Sequence, residues 1–275
     1  MRFPAQAFLF PGEVMLTGIS GPTVSHAHLA PQITISLGGL IRFGHGAGEI
    51  VESDACLFGS LEPHRVHGDE PSAILFLAPT RRRALRQHKG RLPIPTPEAR
   101  HALAAQVREF ASLERSWDEA SELAARWKQT WLLAPHRVPT VDSRIAKALD
   151  HLDSYAEEKA DRYSLASSAL LSPSRFAALF AAHVGLPLRR YLVWRRLILA
   201  VKLMAEGANV TEAAAEAGFA DTSHMSRAFL RTFGLSPSIF RKLRLVTSLK
   251  HPLIPILSNL QAMSSPDQCR KGLRI

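Results

Sequence analysis

The chain has little cysteine and no long hydrophobic run, and each absence excludes a class of protein. Its 275 residues include two cysteines, Cys56 and Cys269. They lie far apart and match no metal-binding or redox spacing, so we expect reduced thiols and a cytoplasmic location. No apolar run approaches the ~18 residues that span a bilayer. Pro4 and Glu13 interrupt the apolar N-terminus, so we expect neither a signal peptide nor a membrane partner.

Acidic residues are also few in comparison with basic ones. The sequence has 24 Asp and Glu against 34 Lys and Arg, which gives a formal net charge of +10. Residues 164–241 hold nine basic and four acidic residues, and residues 242–275 hold six and one, whereas the first 163 residues are balanced. Although many soluble proteins are basic, an excess concentrated in this way suits a phosphate-bearing partner.

The basic region contains one local construction twice. Residues 164–185 and residues 210–234 each show an Ala-rich helical pattern, a turn of three or four residues and a second helical pattern that ends at a glycine. Two short helices joined in this way form a helix-turn-helix, whose second helix can enter the major groove of DNA. Two such units in register favour DNA binding over chance packing.

Capping residues mark the ends of the second helix in each unit. Ser172 followed by Pro173 is typical of a helix start, and Asp221 suits the same role in the second unit. Gly185 and Gly234 predict the two C-terminal ends, because glycine adopts the left-handed conformation that closes many helices.

These positions resemble the AraC/XylS family of bacterial transcription regulators over about 100 residues, from Val141 to Arg241. The matching positions are Leu165, Ala166, Ser172, Phe176, Phe180, Gly185, Tyr191, Ala214, Gly218, Phe219, Arg227, Phe229, Gly234, Ser236, Pro237 and Arg241. The resemblance implies an all-α DNA-binding domain with two helix-turn-helix units joined by a connecting helix at residues 188–206. Such a helix is ~27 Å long, so the two recognition helices can enter major-groove segments about one DNA turn apart.

The same resemblance implies which residues contact DNA. Base-edge positions fall on Ser174, Arg175, Ala177 and Ala178 in the first recognition helix and on Thr222, Ser223, His224, Ser226 and Arg227 in the second, and backbone contacts fall on Arg189 and Arg190. Alanine can contact only a thymine methyl group, so we expect Arg175 and Arg227 to supply most of the hydrogen-bonding readout. The alternative for Arg227 is an ion pair with a phosphate or a carboxylate.

The first 80 residues predict antiparallel β-structure, a sandwich or barrel, because short apolar runs alternate with turn residues. The runs are residues 8–10, 15–19, 33–37, 41–43, 56–58 and 74–77. His26 and His28 share one face of an extended segment, and Gln32 and His64 follow. This segment more weakly resembles the cupin-like sensor domains of the same family, which implies that these four residues contact an effector.

Gln32 decides between two interpretations of these histidines. In metal-binding cupins a glutamate occupies its position, so we predict no metal and no other cofactor. Three histidines and a glutamine could still hold Zn²⁺ or Fe²⁺, which leaves open a metal-dependent cupin enzyme fused to a DNA-binding domain.

Residues 97–131 predict two amphipathic helices. Their apolar stripes are Leu103, Val107, Phe110 and Leu113, then Trp117, Ala120, Leu123, Ala124, Trp127 and Trp131. The helices resemble the dimerisation helices of the family, and three uncovered tryptophans would form a large apolar patch, so we predict a homodimer. The alternative is that both helices cover an open face of the β-domain.

The sequence therefore predicts an α+β chain of two domains. A cupin-like sensor and dimerisation domain occupies residues 1–134, including a basic run at 81–91 that we interpret as solvated linker. A linker at 135–140, the DNA-binding domain at 141–241 and a basic, partly disordered tail at 242–275 follow.

The resemblance implies the function and the partners of such a chain. We expect an effector-responsive, sequence-specific transcription regulator and no enzyme. Its partners would be double-stranded DNA, a small-molecule effector and, for an activator, RNA polymerase. A non-specific DNA-coating protein is a further alternative, favoured by the basic tail and the alanine-rich first recognition helix.

Overall fold

The computed structural model describes residues 3–23, 25–44, 50–81, 96–131, 141–154 and 162–248. The strands are β1 (Gln6–Phe10), β2 (Glu13–Ile19), β3 (Gln32–Ser36), β4 (Ile41–Gly44), β5 (Ile50–Ser53), β6 (Ala55–Phe58), β7 (Arg65–His67), β8 (Ser72–Phe76) and β9 (Arg244–Val246). The α-helices are α1 (Pro97–Ala111), α2 (Trp117–Trp131), α3 (Ser143–Ser154), α4 (Arg162–Ser168), α5 (Pro173–Val184), α6 (Leu188–Ala205), α7 (Val210–Glu216), α8 (Thr222–Phe233) and α9 (Pro237–Phe240). The predicted linker at 135–140, most of the basic run and the tail beyond residue 248 lie outside the described residues.

The strands form two sheets, which confirms the predicted β-domain followed by a helical domain. The larger sheet has the order β6-β3-β8-β2-β1-β9, and the smaller has the order β5-β4-β7. The described strand pairs are antiparallel, apart from the parallel pair β1 and β9. The six predicted apolar runs coincide with β1 to β4, β6 and β8. Strands β5 and β7 were not predicted because they are short and contain no buried residue that would give them an apolar pattern.

Strand β9 corrects the predicted start of the tail at residue 242. Residues 244–246 pair in parallel with residues 6–8 of β1. Arg244 Nη1 donates a hydrogen bond to Gln6 Oε1 at 3.2 Å, and its Nε lies 3.2 Å from the Glu114 carboxylate. These three residues become a strand because β1 offers an open edge, which no local sequence pattern reveals. The beginning of the predicted tail is therefore part of the larger sheet.

Helices α1 and α2 lie on one face of the larger sheet. Their stripes and that face form a core that we call the sensor core, after the predicted role of the β-domain. It includes Phe8, Phe10, Met15, Ile33, Leu75, Leu103, Val107, Phe110, Leu123, Trp127 and Trp131. Trp127 and Trp131 are 0% and 1% exposed, whereas Leu113 is 58% exposed. Apart from Leu113, the stripes that we predicted as a dimer interface therefore cover the sheet of their own chain, as the alternative interpretation held, and the homodimer itself stays a prediction.

The opposite face of the same sheet packs on the helical domain. This interdomain core includes Ala7, Leu9, Val14, Leu16, Phe76, Trp194, Leu197, Met225, Phe229, Phe233 and Phe240. Because successive side chains of a strand point to opposite faces, the buried residues of β1 contribute side chains to both cores. Phe76 of β8 meets Phe233 of α8 with ring centroids 5.2 Å apart.

The first helix-turn-helix has a separate core. Helices α3, α4 and α5 bury Ile145, Leu149, Leu152, Leu165, Phe176, Phe180 and Val184 together with Leu188 and Tyr191 from the start of α6. The remainder of α6 packs into the interdomain core through Trp194 and Leu197. One 18-residue helix therefore belongs to both cores, as predicted for the connecting helix. Among the described residues, no single helix is long and apolar enough to cross a bilayer. Helices α4 and α5 reach the required length and composition only when they are counted together, and they are bent by 88° at the break between them.

Truncation of Trp127 tests the covering role of α2. Trp127→Ala should lower the free energy of unfolding by about 3–5 kcal/mol, because it leaves a cavity in the sensor core. Leu113→Ala, which removes a mostly exposed side chain, is the matched control and should have little effect. Chemical denaturation and sedimentation of both variants provide the measurement. A Trp127→Ala protein that kept its stability and only lost a dimeric state would contradict the intramolecular role.

Candidate functional site

Both recognition helices begin and end where their capping residues predict. In α5, Ser172 Oγ accepts a hydrogen bond from Arg175 N at 3.3 Å, and Gly185 closes the helix with φ 87°. In α8, Asp221 Oδ1 accepts from His224 N at 2.6 Å, and Gly234 closes the helix with φ 72°. These caps fix the first turn of each helix, which contains most of the predicted base-edge positions.

The two turns that precede these helices carry different residues at one equivalent left-handed position. Leu170 N donates to Ser167 O in the first turn, and Gly218 N donates to Ala215 O in the second, so Leu170 and Gly218 are equivalent. Both have a left-handed backbone, with φ 54° for Leu170 and φ 75° for Gly218. A left-handed leucine costs roughly 1–2 kcal/mol, and Leu170, at 92% exposed, gains almost no packing in return.

Most of the predicted DNA-contacting side chains are accessible. The exposed ones are Ser174, Arg175, Ala178, Arg189, Arg190, Ser223 and Arg227, and the half-buried ones are Ala177, Thr222, His224 and Ser226. Arg175 and Arg227 make no ion pair with another described residue, so the carboxylate alternative for Arg227 is not realised there. The His224 ring stands edge-on to Phe219 with centroids 5.4 Å apart, which gives it a packing contact as well.

The predicted sensor histidines come together at the boundary between the two domains. His26 and His64 form an antiparallel backbone bridge. The ring centroids of His26, His28 and His64 are 4.5–4.6 Å from one another. His28 and His64 are 1% and 0% exposed, and Phe58 stacks on His64 at 3.8 Å. The convergence that the sequence pattern implied is present, but it lies against the helical domain instead of wholly inside the β-domain.

His28 joins this histidine cluster to the second recognition helix. Its Nδ1 donates to the backbone carbonyl of Thr232, in the last turn of α8. Its Nε2 lies 2.9 Å from Nε2 of His64. The pKa of His28 is well below its ordinary value, first because of burial and then because of His64 and His26, while the Thr232 carbonyl and the Gln32 amide oppose this shift. The ring is therefore neutral at pH 7.

A cleft opens beside the histidine cluster. Its empty volume is about 520 Å³ including the open mouth, and the lining residues used below are His26, His28, Gln32 and Phe233. Gln32 is 3% exposed, and its Nε2 donates to Thr34 Oγ1 at 2.7 Å. Its Oε1 is buried without a hydrogen bond of normal geometry to another described residue. The sequence did not point to Phe233 or Thr232, because both lie in α8 and reach the cleft only through domain packing.

Two capped helix-turn-helix units on one connecting helix define a DNA-binding domain, and the comparisons with known proteins agree. A family model described as a helix-turn-helix domain matches residues 165–243. The "Probable transcriptional regulator LumQ" of Photobacterium leiognathi is 32% identical over 93 residues, which are 34% of this chain and 38% of LumQ. The arabinose operon regulatory protein of Escherichia coli is 33% identical over 108 residues, which are 38% of this chain and 36% of that protein.

These matches show that the C-terminal part is a helix-turn-helix domain similar to part of these regulators, and membership of the AraC/XylS family stays a prediction. The chain spans less than two fifths of the length of either relative. The structure of ToxT from Vibrio cholerae O395 matches 88% of this chain and 97% of its own chain, with a TM-score of 0.52 and 11% identity. At that identity the match shows a shared fold, which here includes both domains. The cupin-like character of the sensor stays a prediction.

Separate substitutions at Leu170 and Gly218 test the backbone strain at Leu170. Leu170→Gly should raise the free energy of unfolding by about 0.5–1 kcal/mol, because the relief of the left-handed strain exceeds the entropy that glycine costs. Gly218→Ala should lower it by roughly 1–2 kcal/mol. A Cβ there would meet only Arg196 Nε at 3.6 Å, an ordinary contact, so that cost is conformational. Denaturant titration of both variants measures these differences, and destabilisation by Leu170→Gly would show that the leucine has a packing role.

Proposed function

We propose that this chain is a sequence-specific DNA-binding transcription regulator that responds to a ligand in the cleft between its domains. The observation that supports this most is the division of helix α8. Its N-terminal half presents exposed Ser223 and Arg227, and its C-terminal end, Thr232 and Phe233, is buried against the sensor. A single helix therefore has one end for DNA and the other end at the cleft.

The two recognition helices read neighbouring major-groove segments in this proposal. The connecting helix α6 is ~27 Å long and is fixed in the cores of both units, so the distance between them is set by rigid packing. Helix α5 contributes Ser174, Arg175, Ala177 and Ala178, and α8 contributes Thr222, Ser223, His224, Ser226 and Arg227. Exposed Arg189 and Arg190 at the start of α6 are placed to contact phosphates, which position the protein without specifying sequence.

A small-molecule effector would act through the cleft formed by His26, His28, Gln32 and the underlying His64. Phe233 lines the same cleft, and Thr232 accepts the His28 hydrogen bond. Any ligand that moves these groups moves the end of α8. The helix has 12 residues and is ~18 Å long, so a small rotation at the cleft displaces Arg227 in the groove.

Several wider parts of the proposal rest on the family resemblance. We infer that the chain acts by binding instead of by catalysis, in the cytoplasm, and that as an activator it would contact RNA polymerase. A homodimer would need a surface other than the apolar stripes of α1 and α2, because the sensor sheet already covers them. Sedimentation of the wild-type chain measures that state directly.

Removal of the Arg227 side chain tests base recognition. If it forms a bidentate contact to guanine, Arg227→Ala should weaken binding to the selected site by about 1–3 kcal/mol, roughly 5- to 150-fold in Kd, and relax preference at one base pair. Arg126→Ala in α2 removes the same charge from an exposed i,i+4 pair with Glu122 and should leave Kd unchanged. Fluorescence anisotropy at fixed salt measures both. An equal loss on every DNA sequence would instead assign Arg227 to a phosphate.

Separate randomisation of the two half-sites tests how unequally the two units read DNA. The half-site under α8 should be the more stringently defined, because α8 offers several hydrogen-bonding groups whereas α5 offers two alanines among its four positions. Selection of bound DNA at one salt concentration, followed by comparison of information content, gives the result. Greater stringency under α5 would overturn this assignment, and absence of preference in both halves would favour the non-specific DNA-coating alternative.

A further inference from the structure

The hydrogen bonds of His28 and His64 determine which ring nitrogen carries the hydrogen. His28 Nδ1 faces the Thr232 carbonyl, and His64 Nδ1 lies 3.0 Å from the Glu62 carbonyl. A carbonyl oxygen only accepts, so in both rings Nδ1 is the donor. In the neutral rings both Nε2 atoms are then acceptors, yet they lie 2.9 Å apart. Two lone pairs facing each other at this distance repel unless a cation lies between them.

That cation is either a proton or a metal ion, and the surroundings favour the metal. A shared proton would place an imidazolium in a site with 1% and 0% exposure, between aromatic rings and a third histidine. A metal ion instead uses neutral imidazole, and metal-bound histidines usually donate their other N–H to a carbonyl or carboxylate. Both rings already make that outer hydrogen bond.

The neighbouring residues supply further ligands. His26 completes a set whose ligand atoms all lie within 4.8 Å of one another. In a tetrahedral zinc site with Zn–N bonds of about 2.0–2.1 Å, the nitrogen atoms are ~3.3 Å apart. The His28 and His64 nitrogen atoms would separate by a few tenths of an ångström, and His26 would move closer. The buried Oε1 of Gln32 is a candidate oxygen donor in the same cleft.

We propose that His26, His28 and His64 bind a divalent first-row transition metal ion, with Zn²⁺ as the reference case, and that this ion fastens helix α8 to the sensor. The metal site stands on its own, and only its regulatory consequence rests on the proposed function. This proposal replaces our sequence prediction of no metal, which rested on the absence of a glutamate at position 32.

The same geometry indicates how the ion would act on helix α8. Coordination through Nε2 makes the His28 Nδ1–H a stronger donor to the Thr232 carbonyl, one residue before the helix ends. A Cβ on Gly234 would lie 3.3 Å from His26 Nε2, so His26 also abuts the residue that closes α8. The ion therefore joins the segment that precedes β3 to two points, Thr232 and Gly234, at the end of the recognition helix.

Metal uptake by the full-length chain tests the site without DNA. Chelator-treated protein titrated with Zn²⁺ should bind one equivalent per chain, and Co²⁺ should give the visible absorption of a tetrahedral nitrogen-rich site. His28→Gln should weaken binding by more than about 100-fold, because it removes a ligand and not merely an outer hydrogen bond. His101→Gln, whose side chain is 68% exposed and pairs with Asp54, should bind as the wild type does.

A second variant, expected to gain affinity, tests the site even if His28→Gln fails to fold. Gln32→Glu supplies a carboxylate where the amide oxygen now lies, and it should tighten Zn²⁺ binding by about tenfold or more. Failure of wild-type chain to bind stoichiometric metal would overturn the proposal in favour of a shared proton. Equal uptake by wild type and His28→Gln would place the ion elsewhere and overturn it as well.

Hydrogen–deuterium exchange distinguishes the metal site from the proposed DNA function. Zn²⁺ should slow exchange at the end of α8 and in the segments that hold His28 and His64, and it should change the Kd for selected DNA in the wild type but not in His28→Gln. Metal binding with slower exchange but no specific DNA binding would refute the proposed function alone. Specific DNA binding without stoichiometric metal would refute the metal site alone.

Discussion

The structure depends on the burial of one β-sheet from both sides. Strands β1 and β2 contribute alternate side chains to the sensor core, under α1 and α2, and to the interdomain core, under the second helix-turn-helix. A sheet with one solvated face would leave Leu9, Val14 and Leu16 in water, and burying such side chains contributes about 1.5–3 kcal/mol each. The helical domain is therefore part of the sensor's own core, and the two domains cannot separate without exposing apolar surface.

This shared core explains why the candidate ligand site lies where it does. The cleft and the histidine cluster sit at the rim of the interdomain core, where Phe76 and Phe233 meet and where the polar groups of Gln32 and His28 begin. A ligand at the rim would alter packing that both domains need. Because α8 is one continuous helix, the same change would reach the exposed residues of its first turns without a separate relay between the domains.

The sequence predicted the elements whose signals are local. Caps such as Ser172 and Asp221 and the left-handed glycines Gly185 and Gly234 act within a few residues, so α5 and α8 were found with both ends. The histidine pattern also predicted a convergence that the structure contains. Long-range features could not be predicted in this way. Strand β9 has no alternation of its own, and the covering role of Trp127 depends on which surface the fold leaves open.

The parallel pairing of β9 with β1 has a consequence for biosynthesis. Strand β9, the last of the described strands, pairs with the free edge of β1, the first of them. The ribosome must therefore release almost the whole described chain before that edge is paired. Until then the nascent sensor exposes an unpaired strand and an apolar face, both of which promote aggregation. A fragment cut between the domains would keep these defects permanently, and intact protein should therefore be more soluble than its isolated N-terminal half.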